Sequence, residues 1–192
     1  DSIHETVLET FKNFITDLVN SHIMPEGYLT ENDLNEILEF TNEHLLKRKL
    51  DLIDIKDRTE DELIEYLYER VLKEYDEKLS EIPEEVANEF EKAISLRVID
   101  THWMNHINTM SHLREGIGLR SYAQENPLRA YTNEGFELYD ELLNTIDQET
   151  TMFLLKSEIR QNIERKQVVK GKAVTDNNKT KKATPKTVNK IG

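Results

Sequence analysis

Three groups of residues have types and spacings that could carry chemistry. His102 and His106 stand four apart, so they share one helical face and could in principle hold a metal. The string His-Trp-Met-Asn-His lacks the Glu that follows the first His of a zinc protease, and no third ligand stands out. His106 falls on an apolar seam, where a satisfied core histidine is the favoured reading and a metal site is rejected. Gly171-Lys172 is followed by Ala and lacks the upstream Gly of a phosphate-binding loop, so this chain is not expected to bind ATP that way. Carboxylates are abundant, but none pairs with another in an apolar setting as a general acid would need.

The third group differs. Leu113 to Pro127 is a glycine-interrupted, basic and aromatic stretch between two long amphipathic patterns. Arg114, Ile117, Leu119, Arg120 and Tyr122 cannot all be buried at the bend of a two-helix hairpin. Two readings stand. Ile117 and Leu119 fold back to cap the hairpin while the arginines are solvated, or Tyr122 contacts a mobile partner, Tyr and Arg being the types that dominate contact energies.

The elements that must position this bend are helical. With 6 Gly, 4 Pro and 33% charged residues, the composition points to an all-α, highly solvated protein. Absence of Cys excludes disulfides and thiolate chemistry. No run of apolar residues is long enough to cross a bilayer and no signal peptide is evident, so a cytoplasmic location is expected. Lacking an initial Met and any closing element, the chain reads as an excised part of a longer protein.

The net charge of −13 is asymmetric: residues 165–192 carry +8 and the rest −21. An acidic body argues against nucleic acid as a partner. The basic tail could touch anionic lipid, but a solvated linker is the simpler reading.

Ile3, Val7, Phe11, Ile15, Leu18 and His22 form one helical stripe, ended by Met24-Pro25-Glu26-Gly27. Thr30 with Asp33, and Thr59 with Glu62, are capping boxes that open helices within a small subdomain. Leu50 to Ile55 alternates and is read as an extended piece or a short turn. Pro83-Glu84-Glu85 starts a long helix whose expected seam is Leu96, Ile99, Trp103, His106, Met110 and Leu113. Trp103 is expected to be its structural anchor. Gly116 and Gly118 are expected to stop this helix, leaving about ten residues to the next. A second helix is expected from Pro127 to about 165, with Tyr131, Leu138, Leu142, Ile146, Phe153, Ile159 and Ile163 inward. Residues from about 168 onward are too polar to offset their ordering entropy and are expected to be disordered.

The stretches Leu96 to Trp103 and Met110 to Arg129, with the Gly-Ile-x-Leu-Arg-x-Tyr turn, closely resemble the C-terminal region of SecA, the ATP-driven motor of bacterial preprotein translocation. The resemblance implies the end of the scaffold domain's long helix at residues 1–27 and the helical wing domain at 28–83. It implies the two-helix finger at 84–164 and the start of a flexible basic linker at 165–192. It further implies an export function through the SecYEG channel, with Tyr122 at the fingertip and Arg114, Ile117, Leu119 and Arg120 around it. Preproteins, SecYEG and the motor domains of the same chain would be partners, on the cytoplasmic face of the plasma membrane. The finger would also restrain the ATPase. ATP and Mg would belong to motor domains outside this sequence, and zinc to a terminal Cys/His module that a Cys-free chain does not supply. No cofactor is expected in these residues. The rival reading is a free-standing helical adaptor or chaperone-like module.

Overall fold

A computed structural model describes residues 2–25, 27–120 and 126–159, with the backbone alone described at Arg120. All regular structure among them is helical: α1 (Ile3–Asn20), α2 (Glu31–His44), α3 (Leu52–Ile55), α4 (Glu60–Ser80), α5 (Glu84–Arg120) and α6 (Pro127–Lys156). The expected tail, residues 165–192, lies outside the described residues, as do Ile163 and Tyr122.

Helix starts follow local side-chain chemistry. At Ser2, Thr30 and Thr59 the hydroxyl accepts from the backbone N–H three residues on, while Glu5, Asp33 and Glu62 reach back to the cap N–H. Each reciprocal pair satisfies two of the donors that a helix start leaves open. The alternating run after Leu50 resolves into the single-turn helix α3.

One core joins α1, the region from α2 to α4, and the far end of α6. Val7, Phe11, Phe14, Ile15, Leu18 and Val19 of α1 meet Leu34 and Ile37 of α2, with Leu63, Ile64, Leu67, Val71 and Tyr75 of α4. Leu154 and Leu155 close it. Phe11 meets Tyr75 edge-on, with ring centroids 4.9 Å apart.

Three expectations fail here. Helix α5 runs through Gly116 and Gly118 to Arg120. Neither glycine has a positive φ, so nothing in the backbone turns there. A helix-interior glycine costs under about 1 kcal/mol relative to Ala, too little to end a helix that has a partner. Helix α6 stops at Lys156, not near 165, because Ser157 is extended and the chain bonds elsewhere. Lys78 reaches across and donates to the carbonyls of Leu154 and Ser157, and Lys156 donates to the Leu46 carbonyl at 2.7 Å. A cation on the last carbonyls also suits the negative end of the helix dipole. Burial, with Lys47 nearby, pushes Lys78 down to about 8. Phe153 faces solvent, since Leu154 and Leu155 take the core positions.

Where α6 crosses α1, Asp147 is pushed up to about 6 by burial, and by Asp17 and Glu9, against an opposing hydrogen bond with Asn13. Its folded value lies above the ordinary 3.8, so the native state holds the extra proton between those limits. The stability this group contributes is therefore greatest below about pH 4 and is lost as pH rises through about 6. Asp147→Asn should raise Tm at pH 7 by about 2–4 °C, on the order of 1 kcal/mol after allowance for solvent screening. The same substitution should flatten the dependence of Tm on pH between 4 and 6, which thermal melts across that range would measure.

Candidate interaction surface

The hairpin α5–α6 leaves the core as two antiparallel rods. At about 1.5 Å per residue, the 37 residues of α5 span about 55 Å and the 30 of α6 about 45 Å. Pro127 enters at the first helical position, and Asn126 Oδ1 accepts from the N–H groups of Leu128 and Arg129 at 3.0 and 3.2 Å.

The inward line of α5 follows the expected seam at His106, Met110 and Leu113 and departs from it nearer the core. Glu91 and Val98 are buried, and Ile94, His102, His106, Met110, Leu113 and Ile117 are partly buried, at spacings of three and four. Leu96, Ile99 and Trp103 instead face outward, and Trp103 is 48% exposed. Trp103 is therefore not a buried anchor. The true line carries one Glu and two His near the root, so a reading that follows only apolar residues slides onto the adjacent stripe.

The two histidines serve the helix pair. His102 Nε2 lies 2.7 Å from Glu149 Oε2 of α6, within ion-pair distance though off the line a hydrogen bond needs. The His106 ring lies between Trp103, with centroids 5.7 Å apart, and Tyr139, at 6.2 Å. No cluster able to hold a metal is found among the described residues. Further out, α6 passes close to Met110 at Gly135, where an added Cβ would sit 3.3 Å from the Met110 methyl.

Two surfaces remain open. Leu96, Ile99, Trp103 and Ile107 form an exposed apolar stripe at spacings of three and four. At its root it joins a groove of about 540 Å³ between α1, α5 and α6, lined by Ile3, Val7, Leu96, Ile99 and Ile146. Large apolar residues gathered this way mark a contact surface more than chance exposure does. The second surface is the outer end. Arg114 is exposed, Leu119 is 72% exposed, and Leu128 at the start of α6 is 73% exposed. Ile117 alone turns partly inward, so Leu119 does not cap the hairpin. Arg120 is the last residue of α5.

The described residues thus form a small helical core that holds out a long rod pair with exposed apolar and basic residues. Comparison with known sequences gives this arrangement its family. Residues 1–158 match the family described as the SecA Wing and Scaffold domain. Protein translocase subunit SecA of Clostridium novyi (strain NT) is 36% identical over 171 residues, which is 88% of this chain and 20% of that protein. The chain belongs to the SecA family, and it spans about a fifth of the length of that relative.

The glycines near the outer end give a direct check on the continuous helix. A Cβ at Gly116 or Gly118 would meet no atom within 4 Å. Gly116→Ala should stabilise the last turns of α5 by about 0.5–1 kcal/mol, and Gly118→Ala by less because it lies nearer the end. Amide exchange over residues 112–120 should slow about twofold to fivefold in Gly116→Ala.

Proposed function

We propose that this chain is the scaffold, wing and finger part of a SecA motor that couples ATP hydrolysis to preprotein export through SecYEG. These residues perform no catalysis. They deliver contact and restraint. The observation that carries the reading is the long hairpin with apolar and basic residues at its outer end, in a chain of the SecA wing-and-scaffold family. Tyr122 follows α5 by two residues, with Arg114, Ile117, Leu119 and Arg120 before it. An amphipathic ring in that position can press on backbone and varied side chains without selecting a sequence.

The apolar stripe of α5 fits a second task. Leu96, Ile99, Trp103 and Ile107 would pack against the motor domains of the same protein, and contacts made in only one nucleotide state would bias the motor's equilibrium. This supports the proposed restraint on ATP hydrolysis. Among the described residues no helix is long and apolar enough to cross a membrane, which accords with action from the cytoplasmic face. The basic tail could add attraction to anionic lipid there.

In the full-length protein, Tyr122→Ala should lower ATP-driven transport of a preprotein into inverted membrane vesicles at least tenfold, with ATP binding retained. Transport at the unaltered rate would remove the fingertip role.

A further inference from the structure

The chemistry at the root of the hairpin has no part in that reading. Glu91 is 1% exposed, yet it is a carboxylate in a helix of a strongly acidic protein. Its Oε1 accepts from Tyr75 Oη at 2.9 Å and lies 2.7 Å from His4 Nδ1. Its Oε2 is buried with no partner. The His4 and Tyr75 rings lie nearly parallel, 9° apart, with centroids at 6.4 Å. Three helices, α1, α4 and α5, thus meet at one half-satisfied carboxylate. A buried carboxylate is tolerable only while paired, and among the described residues His4 is the basic group bonded to it. His4 is itself over a third exposed, in the first turn of α1.

The other charged groups stand further off. On α4, Asp76 acts on Tyr75, and Lys78 sits over the Phe90 ring at 5.0 Å. On α5, Glu89 and Lys92 line the neighbouring groove. On α6, Asp147 meets α1 at Asn13 and Asp17, more than two turns from His4.

The two legs of the hairpin are held differently. α6 enters the core through Leu154 and Leu155 and is capped by Lys78. α5 places no fully buried residue in that core. Phe90 and Ile94 pack against it only partly covered, and the buried Ala87 and Val98 lie outside it. Its firmest tie is therefore polar.

We propose that His4, Glu91 and Tyr75 form a releasable latch that docks the root of α5 on α1 and α4, so that the hairpin has one fixed leg, α6, and one that can let go. Release exposes a carboxylate that gains full hydration, while docking is held by two hydrogen-bond donors and thin apolar cover. Docking therefore rests on few contacts, which is what a releasable element requires. The latch stands on side-chain geometry alone and does not depend on the translocation reading.

The test is amide exchange, followed by mass spectrometry, in the 192-residue chain. Undocked first turns of α5 would fray, because a short unsupported helix is marginal in water. His4→Ala should speed exchange over residues 84–98 at least tenfold while residues 60–75 change less than twofold. Glu91→Leu combined with Tyr75→Phe removes the carboxylate at similar volume without orphaning the buried Tyr75 hydroxyl, and should slow exchange over 84–98. If this pair speeds that segment as His4→Ala does, Glu91 is a plain structural pin and the latch is wrong. Equal acceleration of residues 60–75 by His4→Ala, or none at 84–98, would overturn it too. Should this double variant lose helicity by circular dichroism, Glu91→Gln takes its place. Adding His4→Ala to Glu91→Gln should then change exchange over 84–98 less than threefold, and a tenfold change there would refute the proposal.

Discussion

The burial of Leu154 and Leu155 in a core that α1, α2 and α4 have already built is the contact on which the hairpin depends. Two packed helices have too little shared interior to cover their own apolar residues, and here the inward line of α5 is partly polar. A rod pair of this kind gains direction only by inserting one end into something larger. The end of α6 does this, and it comes after the longest excursion in the chain. Its insertion also explains where the helix must stop. Once the two leucines are seated, the last carbonyls lie beneath Lys78, and another turn of helix would take those carbonyls back.

That arrangement separates stability from reach. Helix α1 and the region from α2 to α4 hold most of the buried large apolar side chains, whereas most of α5 is half-exposed along its length. Burial at about 25 cal/mol per Å² therefore accumulates in the core and contributes little further out. The outer hairpin is held by helix propensity and by the pairing of α5 with α6. Gly135 lies in this outer part, packed beside the Met110 side chain. Such a region opens locally at lower cost than the core does.

Much of this was legible from residue order. Capping boxes at Thr30 and Thr59 signalled two helix starts, because their chemistry is local and complete within four residues. The stripe of α1 and the apolar positions of α4 from Leu63 to Tyr75 read correctly, since apolar residues at helical spacing were the only inward residues there. The register of α5 read correctly only from His106 outward, and the cause is physical. Its inward positions are held by Glu91, His102 and His106, whose partners Tyr75, Glu149 and Tyr139 lie far away in sequence. Spacing does reveal one clue: continuing the line of Met110 and Leu113 back toward the root in steps of three and four passes through those three residues. The end of α6 was hidden for a similar reason, as Lys78 stands 76 residues from the carbonyl of Leu154 that it caps.

The polar line has a consequence for how force passes through the molecule. An apolar seam slides with little penalty between neighbouring registers, because one methyl replaces another. Glu91 is hydrogen-bonded to Tyr75 of α4, while His102 lies beside Glu149 and His106 beside Tyr139 of α6, so sliding α5 along its neighbours would separate all three pairs and leave the buried Glu91 without its donor. Rotation or release of the whole leg disturbs the rod pair less than a change of register does. The stiffness of the rods and the exposed, single histidine at their base are thus complementary. One keeps a displacement intact along about 50 Å of helix, and the other gives that displacement a place to act.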